Sequence, residues 1–142
     1  MSTYGFPASS LSPASRAALA YQRVDAQSRS PLELVVMLYD GAIRFLGDAR
    51  DAHARNDHRG RATGVSKAMA IVSELQSTLN LEDGSSLAVE LDRLYDYMFA
   101  RLLDVTTKKD MSALEEVRQL LVTVREGWVQ VSASVATSPP RS

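Results

Sequence analysis

SPLELVVMLYDGAIRFLGDARDA, residues 30–52, opens with a Ser, a Pro one place later and a Glu two places after that. This order supplies partners for two backbone donors that a helix start leaves open. The Ser30 hydroxyl can accept from the N–H of residue 33, and the Glu33 carboxylate can reach back to the N–H of residue 30. Pro31 loses nothing at a position where its missing N–H is not needed. A long helix is therefore predicted from Ser30-Pro31. Leu34, Leu38, Gly41, Ala42, Phe45, Ala49 and Ala52 fall on one side of a 3.6-residue period, and the pattern ends at Arg55-Asn56-Asp57.

Working outward, the same logic predicts three more helices. Asn56 or Asp57 can cap the second, whose apolar stripe is Val65, Ala68, Met69, Val72, Leu75 and Leu79. Gly60 and Gly64 should weaken its first turns by about 1 kcal/mol each relative to Ala. Leu81-Glu82-Asp83-Gly84 breaks the pattern. Ser85 or Ser86 then caps a third helix with the stripe Leu87, Leu91, Leu94, Tyr95, Met98, Leu102 and Val105. Asp110 caps a fourth, in which Leu114, Val117, Leu121, Val124, Trp128 and Val131 repeat until Ser138-Pro139-Pro140. Short connections force neighbouring helices to run antiparallel. The expected fold is all-α, an antiparallel up-and-down four-helix bundle over residues 30–135. Residues 1–29, rich in Ser, Ala and Pro, read as a flexible N-terminal arm in which Ser12-Pro13 can start a short helix, and 136–142 as a disordered tail.

Composition removes several function classes. A formal net charge of −1 gives no global positive field to attract nucleic-acid phosphates. No stretch approaches the ~18 apolar residues of a membrane-spanning helix, and residues 1–15 lack a secretory pattern, so a cytosolic protein without membrane insertion is expected. Without cysteine there is no thiolate ligand or nucleophile. Bundles can hold two metal ions through Glu-x-x-His pairs, and this chain has none. His53 and His58 stand among Arg50, Arg55, Arg59 and Arg61, and both read as solvated surface residues. Arg59-Gly60-Arg61-Ala62-Thr63-Gly64 lacks a preceding strand and a Gly-Lys-Ser/Thr, so it reads as a solvated basic turn. No catalytic, cofactor-binding or metal-binding residues are assigned, and an enzyme is not expected.

What remains unexplained is apolar residue left over after the core is filled. The first helix carries Val35, Tyr39, Ile43 and Leu46 on a second flank, and the third carries Phe99 and Leu103 beside its main line. Either an irregular bundle buries these flanks internally, or the apolar area they leave is covered by the N-terminal arm, by a second copy in a homodimer, or by a partner helix laid into a groove. A self-assembling scaffold without cargo is one resulting function; a binder of another protein's helices is the other.

Residues spread over the whole bundle also match a known pattern. Ser28-Arg29-Ser30-Pro31 with Leu38-Tyr39-Asp40-Gly41-Ala42, Ser73-Glu74-Leu75 with Leu79-Asn80, Leu94-Tyr95-Asp96-Tyr97-Met98 with Arg101-Leu102, and Asp110, Leu114-Glu115-Glu116-Val117, Arg125 and Trp128 occur in order. From Tyr21 to Trp128 the chain resembles the FliS family of flagellin export chaperones. The resemblance implies a cytosolic bundle that binds the C-terminal helical segment of flagellin, prevents its premature polymerisation and delivers it to the cytosolic part of the flagellar type III export gate. It also implies that Tyr21, ten residues before Pro31, helps the arm cover the flagellin surface. The expected partner-binding residues are Tyr21 and Val24 on the arm and Val35, Tyr39, Leu46, Phe99 and Leu103 on the bundle.

Overall fold

The computed structural model describes residues 30–137. The arm expected at 1–29, with Tyr21 and Val24, lies outside the described residues. Among those described, four helices follow one another: α1 (Pro31–Ala54), α2 (His58–Ser77), α3 (Ser86–Lys108) and α4 (Met111–Thr137), with a 3-10 turn at Leu81–Asp83 before α3. α4 continues past the boundary expected at residue 135. α1 packs on α2 and α4, and α3 packs on the same two, so the four helices form a closed ring around one core. The all-α bundle is the predicted fold.

The helix starts are where local chemistry puts them. The Glu33 N–H donates to the Ser30 hydroxyl at 3.2 Å, and the Ser30 N–H donates to the Glu33 carboxylate at 3.5 Å. Asp57 accepts from the Gly60 N–H at 2.9 Å, and Ser85 accepts from the Ala88 N–H at 3.4 Å. Asp110 Oδ1 accepts from the N–H groups of Ser112 and Ala113 at 3.1 and 3.3 Å. Gly84 ends the 3-10 turn at φ 72°, a left-handed conformation that glycine adopts without steric penalty.

The core differs from the periodicity on one point of consequence. The buried residues of α1 are Leu38, Tyr39, Ala42, Leu46, Ala49 and Ala52. The buried face is therefore turned by roughly 50°, at 100° per residue, toward the side predicted to be an outer flank. Tyr39 and Leu46 are fully buried core residues, while Phe45, predicted for the core, is only half-buried. The cause lies in α2. A Cβ on Gly64 would stand 2.7 Å from the Phe45 carbonyl oxygen and 2.9 Å from the Ala49 Cβ. Backbone meets backbone here, and no side chain fits between. The large side chains of α1 enter the core from the neighbouring face instead.

The basic turn is also not simply solvated. Arg61, one turn into α2, is buried, and its Nη1 lies 3.0 Å from Nδ1 of His53 near the end of α1. A guanidinium only donates, so Nδ1 accepts and the imidazole carries its proton on Nε2. This pair ties α1 to α2 at the end of the hairpin.

Substituting Gly64→Ala should raise intrinsic helix propensity by about 1 kcal/mol yet lower net stability by about 1–3 kcal/mol, because the new methyl meets main-chain atoms that cannot rotate away. Urea denaturation measures the difference. A variant as stable as the parent would show that α1 and α2 can separate without loss.

Candidate partner-binding surface

Along α3 the residues Ala88, Leu91, Tyr95, Met98, Leu102 and Val105 are buried, and the large apolar side chains beside them are not. Phe99 is 37% and Leu103 47% exposed. The two are one turn apart, so they form a short apolar strip on the flank of α3. Asp92 and Asp96 lie on that same flank nearer the helix start. There Gln76 of α2 donates to Asp92 Oδ1 at 2.9 Å and to Asp96 Oδ1 at 2.7 Å. A polar bridge thus closes one end of the α2–α3 seam, and the strip continues the line beyond it. Leu87 and Val89 are exposed near the start of α3, whereas the stripe pattern placed Leu87 in the core. The signal for its exposure was its position in the first turn, before the helix is flanked on both sides.

The other predicted residues separate into two groups. Val35 is half-buried and packs against the core, whereas Tyr39 and Leu46 are inside it. The structure brings Phe99 and Leu103 together on the surface and places Tyr39 and Leu46 beneath, as core residues.

Tyr39 has a second role. Its hydroxyl forms a hydrogen bond with that of Tyr95 on α3, joining the two helices across the centre of the bundle. Burial pushes both phenols above the usual tyrosine range, so both stay neutral. The Trp128 indole lies close enough to favour the ionised form of Tyr39. It makes no hydrogen bond of normal geometry, and its buried Nε1 is left unpaired.

The opposite flank of α3 is polar. Tyr97 donates to Glu116 at 2.7 Å, and Arg101 donates to the other oxygen of the same carboxylate at 2.7 Å. Arg101 also reaches Asp104 at 3.0 Å and Asp110 at 3.3 Å. The Tyr97 hydroxyl and then the Arg101 guanidinium hold Glu116 below the usual carboxylate range. The Ser112 hydroxyl does the same for Asp110, and the Arg118 guanidinium, 2.6 Å away, for Glu115. Among the described residues no group of His, Asp and Glu side chains is arranged to hold a metal ion, and no helix is long and apolar enough to cross a membrane.

A ring of four helices with an apolar strip beside a polar seam defines an all-α bundle in which, among the described residues, one flank of α3 is exposed. Comparison with known proteins gives the family. The family model described as "Flagellar protein FliS" matches residues 14–135. The chain is 37% identical over 123 residues to flagellar secretion chaperone FliSB of Pseudomonas aeruginosa, covering 84% of this chain and 98% of the relative. It is 36% identical over 127 residues to flagellar secretion chaperone FliS of Salmonella typhimurium, covering 86% and 94%. It is 33% identical over 115 residues to the Bacillus subtilis protein of the same name, covering 81% and 85%. The chain belongs to the FliS family of flagellar secretion chaperones.

Replacing Tyr39 by Phe leaves the buried Tyr95 hydroxyl without a partner and should cost about 1–3 kcal/mol. Changing both to Phe should cost less than the sum of the single changes, and a double-mutant cycle by chemical denaturation reads that difference. Strict additivity would mean that the two hydroxyls do not interact. The lowered carboxylates set the acid response. Their protons bind more weakly in the folded chain, so the stability they contribute is present above the unfolded carboxylate pKa of about 4 and is lost as pH falls through their folded values. Melting temperature should drop between pH 5 and pH 3, and the drop should be smaller in Glu116→Gln.

Proposed function

We propose that this protein is a cytosolic export chaperone that binds the C-terminal helical segment of flagellin and hands it to the cytosolic part of the flagellar export gate. The observation that carries this reading is the exposed Phe99–Leu103 strip on a bundle of the secretion-chaperone family. Phe99 and Leu103 serve as anchors for an apolar helix face, with half-buried Val35 as a further contact and Tyr21 and Val24 of the arm as the cover that cargo displaces. Tyr39 and Leu46 support the surface from within the core.

The mechanism is recognition without chemistry. A segment that later packs into a filament exposes apolar residues while unassembled, and two such segments associate through them. Covering that face removes it from self-association by mass action. A segment that orders only on binding gives up affinity for each unit of area, and the contact is correspondingly releasable at the export gate. The relatives are named as secretion chaperones, which gives no support to the alternative of a self-assembling scaffold.

Calorimetric titration with a flagellin C-terminal fragment should show binding with a negative heat-capacity change. Phe99→Ser combined with Leu103→Ser should weaken that binding by about tenfold to a hundredfold with little change in melting temperature, because both side chains are largely exposed. Unchanged affinity in the double variant, or no binding at tens of micromolar, would sink the assignment.

A further inference from the structure

A second surface lies on a different helix pair. Between the C-terminal half of α1 and the N-terminal half of α2 runs an open cleft of about 530 Å³, and neither Phe99 nor Leu103 lines it. One wall is the α2 stripe Arg59, Thr63 and Lys67, and the other carries Phe45, Asp48, Asp51 and Arg55 of the α1 end. Its floor is the Gly60–Gly64 turn against Ala52. Phe45, turned out of the core by the close approach at Gly64, offers its ring here, with Arg44 and Lys67 each 5.2 Å from the ring centre.

The charges of the cleft are not equally engaged. Asp51 lies 3.6 Å from Arg50, and Asp57 accepts from the Gly60 N–H and lies 3.8 Å from Arg55. The lining holds three cations and three carboxylates; of these Arg59 and Lys67 face no carboxylate at ion-pair distance among the described residues, and Asp48 is the one lining carboxylate without such a pair there. The cations left available therefore outnumber the anions. Arg59 and Lys67 share one face of α2, about 12 Å apart at 1.5 Å per residue, which is roughly two helical turns.

We propose that this cleft binds an acidic helical segment of a partner protein, two of whose carboxylates meet Lys67 and Arg59 while an apolar residue between them covers Phe45. The site is separate from the surface assigned to flagellin and does not depend on that assignment. Charge complementarity selects the occupant. Residues 1–29 of the chain itself bring Arg16, Arg23 and Arg29 against the single acid Asp25, which is the wrong sign. A continuous polyanion would meet Asp48 and Asp51 on the α1 wall, whereas separate carboxylates on one helix face reach the cations and avoid them.

The probe is a labelled, end-blocked helical peptide bearing two Glu residues roughly two turns apart with Leu midway, followed by fluorescence anisotropy. It should bind, more weakly as salt rises. Arg59→Glu with Lys67→Glu should reduce affinity by about tenfold or more, and the peptide with Gln in place of Glu should not bind. Circular dichroism melting of the double variant confirms that the bundle is intact. Absence of binding, equal binding of the Gln peptide, indifference to the charge reversal, or tighter binding of an oligonucleotide of equal charge would each overturn the proposal.

Discussion

The distance between α1 and α2 is set where the backbone of Phe45 and Ala49 lies against Gly64, and much of the molecule follows from that contact. With main chain touching main chain, the face of α1 that looks like its core stripe has no depth in which to bury large side chains. The helix is turned instead so that Tyr39 and Leu46 fill the centre, and Phe45 is carried to the rim. One small residue on α2 thereby decides which aromatic of α1 is inside and which is outside. It places the Tyr39 hydroxyl opposite Tyr95, and it shapes the floor of the cleft beside Phe45.

The remaining polar contacts lie along the seams of an apolar core. Gln76 bridges α2 to α3, the Arg101 group bridges α3 to α4, and Asp40 pairs with Arg125 between α1 and α4. Exposed pairs of this kind contribute little energy each, since solvent screens them and long side chains lose freedom in forming them. Their contribution is to register, because each holds two helices at one axial offset. The buried tyrosine pair does this across the centre, in a low-dielectric setting where a hydroxyl without a partner is costly. The Phe99–Leu103 strip lies beyond the Gln76 bridge, where the flank of α3 is apolar and partly exposed among the described residues.

Ser30, Asp57, Ser85 and Asp110 were readable as helix starts because capping is local, with donor and acceptor two or three residues apart in the chain. Helix number, order and direction followed from the caps and the short connections. The rotation of α1 was not readable in the same way. Two overlapping apolar faces on one helix leave the choice between them to its neighbours, and the deciding residue was Gly64, which looks from sequence like a weakness of α2. The motif Gly60-x-x-x-Gly64 opposite Ala49 and Ala52 held the information, provided it was weighed as a packing surface and not as propensity. Arg61 and His53 were missed for a related reason: charged residues near a turn look solvated until a neighbouring helix covers them. At the candidate surface, the exposure of Phe99 and Leu103 was legible because they fall outside every core stripe of α3. Val35, Tyr39 and Leu46 depended on the rotation.

Trp128 is the only tryptophan in the chain, half-buried on α4 with its ring against the core and its indole nitrogen near the Tyr39 hydroxyl. Intrinsic fluorescence of this protein, excited at wavelengths that tyrosine does not absorb, therefore comes from one place. It reports the polarity at the point where α4 leaves the core, beside the tyrosines that join α1 to α3. The molecule carries its own optical probe of whether that end of the bundle is closed.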